Sequence, residues 1–176
     1  MEKLVRKARD GDKDAFVELI HIIEKDLYNI AQIKINNIED INDVIQETML
    51  KAFKSLKSLN EPKYFKTWIT KILINECNKF YIKKFKHIAL LDKIIKNKDD
   101  NELDLVINEI EYKMDYNTIM KKLNSKEKTV IILYFYNRFS KKEIADILNI
   151  SINTVKTRLR RAEEKIKELR KGDKYE

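Results

Sequence analysis

The run SKKEIADILNISINTVKTRLRRA, Ser140 to Ala162, decides the fold class. Ser140 and Glu143 have the spacing of a capping box, in which each side chain satisfies the other residue's backbone N–H. Ile144, Ala145, Ile147 and Leu148 then recur at helical spacing. Asn149-Ile150-Ser151 reads as a turn, because Asn tolerates the left-handed backbone that such turns need. Ser151 can cap a last helix with Val155, Leu159, Ala162, Ile166 and Leu169 along one face. Small Ala145 stands where two helices approach closely. A capped short helix, a three-residue turn and a basic second helix are the sequence form of a helix-turn-helix. With the apolar face inward, Asn153, Lys156, Thr157, Arg160, Arg161 and Glu164 face outward or flank the seam, and Arg158 lies to one side. The major groove admits an α-helix, and Arg or Lys can donate to guanine there. Lys156, Arg158, Arg160 and Arg161 suit such a helix, some holding phosphates and others reading bases. Asn153, Lys156, Thr157, Arg158, Arg160 and Arg161 are therefore the candidate DNA contacts. The competing reading, a basic amphipathic helix on an ordinary bundle, does not account for the capping and turn pattern.

Working outward, the 176-residue chain contains two glycines and one proline. Gly11 and Gly172 lack the fixed spacing next to a Lys that a P-loop needs, and they are too few for a dinucleotide fingerprint or a turn-rich sheet fold. The class is all-α. Lone Cys77 fits a reducing compartment, and two histidines exclude the familiar structural zinc spacings. Met1 to Lys7 has no apolar signal region, and the longest apolar run, Val130 to Tyr136, is far short of a membrane span. The expected location is the cytoplasm, and no cofactor or metal is expected.

The net charge of +8 is unevenly placed. The chain is neutral from Met1 to Ile119, so the whole excess lies beyond Met120. A basic small domain is an electrostatic footprint for nucleic acid. Earlier in the chain, Glu39, Asp40, Asp43 and Glu47 form an acidic block. Seven lysines then oppose only Glu76 between positions 63 and 86, and residues 87–119 are acidic again. Apolar periodicity predicts helices from Lys13, capped by Asp12, to about Ile30, from about Glu39 to Leu59, and from about Tyr64 to Phe85. Asn36-Asn37 reads as a turn, and Asn60-Glu61-Pro62 as a break. Lys96 to Glu102 has no apolar residue and reads as a linker. In the last unit Ser125 can cap a helix carrying Val130 to Leu133 and Phe135. The resulting organisation is two small helical domains, 1–88 and 116–176, joined by a flexible acidic linker at 89–115.

Ile144 to Ala162 resembles the promoter −35 reading domain of the extracytoplasmic-function (ECF) sigma factors of bacterial RNA polymerase. Asp40-Ile41-Asn42-Asp43-Val44-Ile45-Gln46-Glu47-Thr48 resembles that family's helix for docking on core RNA polymerase. Phe65 to Asn75 resembles its promoter-melting segment, and Gly11 to Phe16 its usual opening. The four stretches lie in the family's order. Two positions depart from its pattern. Asn149 stands where Gly is frequent, and Asn78, Lys79 and Tyr81 stand where an Asp or Arg is common.

The resemblance implies a protein with no enzymatic activity that binds core RNA polymerase, recognises −35 and −10 elements of promoter DNA and starts transcription of a small regulon. It also implies an anti-sigma factor as partner. On this reading Asp43, Gln46 and Glu47 form the core-polymerase face. They lie within one helical turn, and carboxylates pair with guanidinium groups. Lys71, Asn75 and Lys79, with Lys63 and Tyr64 from the preceding loop, face the −10 strand. Flipped bases can be read by hydrogen bonds or stacked on Tyr64 while lysines hold phosphates. Phe65 and Trp68 fall on the apolar stripe and read as core. Two other classes are open: a stand-alone helix-turn-helix regulator, which leaves Asp43 to Asn75 unexplained, and a metal-dependent nuclease using Asp40, Asp43 and Glu47.

Overall fold

Why the chain starts helices where it does is set by a few polar caps. A computed structural model describes the backbone of residues 1–92 and 122–172 and the side chains of 1–84 and 122–168. The chain divides into two compact units, one within Met1–Val106 and one within Ile107–Glu176. All regular structure among the described residues is helical.

The first unit contains α1 (Glu2–Arg9), α2 (Lys13–Ala31), α3 (Ile38–Ser55) and α4 (Phe65–Asp92). The Asp12 carboxylate caps α2 by accepting from the Ala15 N–H at 3.0 Å. Asn37 does the same for α3 through the Asp40 N–H, also at 3.0 Å, so the expected turn at Asn36-Asn37 is the cap itself. α3 ends four residues earlier than expected and tightens into a 3₁₀ turn, Leu56–Ser58. A second 3₁₀ turn, Pro62–Tyr64, uses the fixed φ of Pro62 to lead into α4. α4 outruns its expected end at Phe85, because no Gly or Pro follows to stop it. It thereby takes in residues 89–92, where the linker was expected to begin; the rest of 89–115 lies outside the described residues. α1 was not anticipated from the sequence. Its only inward residues are Val5 and Ala8, too few to mark a stripe.

α2 packs against α1, α3 and α4, and α3 lies along α4. The core between them holds Leu19, Ile23, Leu27, Ile30, Ile41, Leu56, Phe65, Ile69 and Leu73, all fully buried. Burying one such side chain is worth about 1.5–3 kcal/mol.

The second unit contains α5 (Ser125–Ile131), a π-helical turn (Ile132–Tyr136), α6 (Lys141–Leu148) and α7 (Ile152–Gly172). Asn124, not Ser125, caps α5. Its side chain accepts from the Glu127 N–H while Glu127 accepts from the Asn124 N–H, both at 3.0 Å. The π turn rotates Phe135 and Tyr136 outward, so Phe135 is exposed where the periodicity placed it with the core. α7 packs on both α5 and α6. Val155, Leu159 and Ala162 meet Val130, Leu133, Ile144 and Ile147 in one small core.

Asn149 ends α6 at φ 51°, ψ 50°. Asn149→Gly is expected to leave stability nearly unchanged. Asn149→Val should cost about 1–2 kcal/mol, since a β-branched residue is strained there. Denaturant unfolding of the two variants checks this.

Candidate nucleic-acid interface

The helix-turn-helix is built as the caps dictate. Ser140 and Glu143 close a reciprocal capping box, at 3.2 and 2.8 Å. The Ser151 hydroxyl accepts from the Thr154 N–H at 3.0 Å and starts α7. Asn153, Thr157, Arg160 and Glu164 follow at i, i+4, i+7 and i+11 and share the exposed face opposite Val155 and Leu159. The Thr157 hydroxyl donates to the Asn153 carbonyl at 2.9 Å, and Arg160 donates to Glu164 at 2.6 Å. Lys156 is exposed on one flank. Arg158, half-buried, and Arg161, exposed, lie on the other.

That second flank leans toward α5. Glu127 is buried, and Lys165 of α7 donates to its carboxylate at 2.8 Å. Burial alone would raise the Glu127 pKa. The hydrogen bonds from Lys165 and the Asn124 N–H outweigh it and hold the carboxyl below its usual range, with Arg161 adding to the favourable field. Arg160 stands nearer the centre of the outward face than Arg161 does.

In the first unit, Asp43, Gln46 and Glu47 are exposed together on α3. Lys71, Asn75 and Lys79 line one exposed face of α4 at i, i+4 and i+8. Tyr64 is 48% exposed, and the Lys63 ammonium lies 4.9 Å from its ring centroid. Arg9 of α1 donates to the Leu59 and Asn60 carbonyls, each at 3.3 Å, and so pins the loop that presents Lys63 and Tyr64. Phe65 is fully buried. Trp68 is half-buried, its ring centroid 6.1 Å from that of Phe65.

The basic run of α4 is less available than its composition suggests. Lys66 pairs with Asp26 at 3.1 Å, Lys79 with Glu76 at 3.0 Å and Lys84 with Asp40 at 3.4 Å. Lys51 of α3 also pairs with Glu76, and with Glu47 at 3.1 Å. Glu76 is only 7% exposed. Burial would raise its pKa, but Lys51 and Lys79 together bring it below the ordinary carboxylate range. Sequence reasoning passed over Lys51 and Glu76. The available signal was that Glu76 is the one acid within the run of lysines. Asp40 and Glu47, two of the carboxylates needed by the nuclease reading, are each turned to a lysine, and among the described residues the acids do not converge. Burial pushes the Cys77 thiol up to about 12, which makes it inert near neutral pH.

Known proteins are similar to this chain over most of its length. The RNA polymerase sigma factor SigV of Bacillus subtilis is 32% identical over 161 residues, covering 89% of this chain and 91% of SigV. The ECF RNA polymerase sigma factor SigW of the same organism is 28% identical over 190 residues, covering 95% of each chain. The chain belongs to the ECF sigma factors. Residues 19–84 of this sigma factor match the family described as Sigma-70 region 2, and residues 113–166 match Sigma-70, region 4. The first match contains α3 and most of α4 as far as the Lys71–Lys79 stripe, and the second contains the helix-turn-helix. Two solved structures share the fold. CnrH, in complex with the cytosolic domain of CnrY, superposes with a TM-score of 0.67 at 22% identity, covering 98% of this chain and 97% of CnrH. RpoE of Bartonella quintana, in complex with the anti-sigma factor NepR, gives a TM-score of 0.68 at 22% identity, covering 89% and 96%. No helix among the described residues is long and apolar enough to cross a membrane.

Proposed function

We propose that this sigma factor acts in the cytoplasm as a non-enzymatic initiation factor. It binds core RNA polymerase through Asp43, Gln46 and Glu47, reads a −35 element with α7, and engages the opened −10 strand with α4 and its preceding loop. One observation carries the reading. A single chain holds a capped helix-turn-helix with a cationic outward face and, ahead of it, an acidic helix face beside a Lys-Asn-Lys stripe. A stand-alone regulator requires only the former.

The geometry supports a division of labour on α7. Asn153, Thr157 and Arg160, at the centre of the exposed face, read base edges. Lys156, Arg158 and Arg161, on the flanks, hold phosphates. On α4, Asn75 lies between Lys71 and Lys79, so a strand can be read at its centre and held on both sides. An anti-sigma factor is part of the proposal, since both CnrH and RpoE were solved with protein partners.

The experiment is holoenzyme binding to a panel of −35 variants. Arg160→Ala should cost about 1–3 kcal/mol on the preferred sequence and relax discrimination at one position. Arg161→Ala should weaken binding evenly across the panel and lower the salt slope by about one. DNA binding that is sequence-specific but indifferent to core polymerase would favour the stand-alone regulator.

A further inference from the structure

We propose that Lys51 and Glu76 are positioning residues that set how much of the Lys79 charge reaches promoter DNA, so that engagement of Glu47 by a cationic polymerase surface releases Lys79. The proposal rests on the roles given above to Glu47 and Lys79.

Four side chains on two helices alternate in charge: Glu47, Lys51, Glu76 and Lys79. Lys51 lies 3.1 Å from Glu47 and also donates to Glu76, and Lys79 donates to the other Glu76 oxygen at 3.0 Å. The ends of the row are open to solvent, Glu47 at 49% and Lys79 at 66% side-chain exposure. The middle is turned inward, with Glu76 nearly closed off.

A carboxylate so buried needs a cation beside it. Two cations share that role, so either can leave only as the other takes over. Lys51 is divided between Glu47 and Glu76. When a cation from another surface takes the Glu47 carboxylate, Lys51 turns wholly to Glu76. The hold of Glu76 on Lys79 then weakens, and the Lys79 ammonium is available to a phosphate. The coupling runs both ways by necessity. A phosphate that draws Lys79 outward tightens Lys51 on Glu76 and frees Glu47 for the polymerase. The row thus joins the face assigned to polymerase with the face assigned to the −10 strand.

The test is a salt titration of the full-length chain, without polymerase, on a labelled mixed-sequence single-stranded oligonucleotide. Phosphate contacts do not depend on sequence, so a mixed pool reports them. Glu47→Gln and Glu76→Gln are each made in the wild-type and the Lys79→Ala backgrounds. Glu47 is a surface residue, so its variant keeps the test available if loss of the buried carboxylate disturbs folding. The expected result is that each Gln variant tightens binding roughly two- to five-fold, the worth of one partly exposed ion pair. The log–log salt slope should steepen by about 0.7, one extra phosphate on a single strand. Neither effect should survive in Lys79→Ala. Equal tightening in both backgrounds is a general loss of negative charge and overturns the proposal, as does no tightening at all. Binding of the wild-type chain to core polymerase is measured alongside. Its absence overturns the functional reading and the trigger, and is distinguishable because the Lys79-dependent salt effect would remain.

Discussion

Asp43→Lys combined with Gln46→Lys should lower affinity for core RNA polymerase about 1,000-fold, some 4 kcal/mol, while leaving the protein folded. Both residues are exposed on α3, and the inward side of that helix is formed by Ile41, Val44, Ile45 and Thr48. Packing is therefore untouched. If the face meets a basic surface, one favourable pair is lost and two like-charge contacts are created. Like charges brought together at an interface cost several kcal/mol. Surface plasmon resonance on immobilised core enzyme gives the affinity, and circular dichroism checks the fold. Unchanged affinity would remove Asp43 and Gln46 from the interface.

Phe65→Ala should destabilise the first unit by about 3–5 kcal/mol. Phe65 opens α4 and is fully buried, touching the half-buried Trp68 ring. Its removal leaves a cavity at the point where the Pro62–Tyr64 turn enters the helix. Lys63, Tyr64 and the Lys71–Lys79 stripe all depend on that junction. A loss of this size is comparable with the whole stability of a small domain. The matching test is denaturant unfolding followed by Trp68 fluorescence, which reports the first unit alone because Trp68 is the single tryptophan. A midpoint within experimental error of wild type would mean that the Phe65 ring contributes little to the core.

Much of this was legible in the sequence because caps and periodicity are local. Asp12, Ser140 with Glu143, and Ser151 cap the helices assigned to them, and Asn149 takes the left-handed conformation its position requires. Errors arose where two neighbours could do the same job. Asn124 rather than adjacent Ser125 caps α5, and Asn37 is a cap rather than a turn residue. The π turn was not legible, since a seven-residue apolar run gives no sign that one extra residue is inserted per turn. That insertion carries Phe135 and Tyr136 outward and is followed by Arg138 at φ 61° and by an Asn137 side chain whose buried amide atoms have no partner among the described residues. The ion pairs of α4 were also hidden. Lys66 and Lys84 look alike as sequence, and only the packing of α2 and α3 shows which acids they meet, whereas Lys79 pairs within α4 with Glu76 three residues earlier. Pairing across helices depends on contacts between residues far apart in the chain, which periodicity does not report.

The most direct measurement is run-off transcription with bacterial core RNA polymerase on genomic promoter fragments, including the one upstream of this gene, with and without the protein. Specific start sites that appear only when the chain is added are the predicted result, and they should vanish with Asp43→Lys/Gln46→Lys. No specific starts, together with a sequence-specific duplex footprint by the chain alone, would contradict the proposed role in initiation.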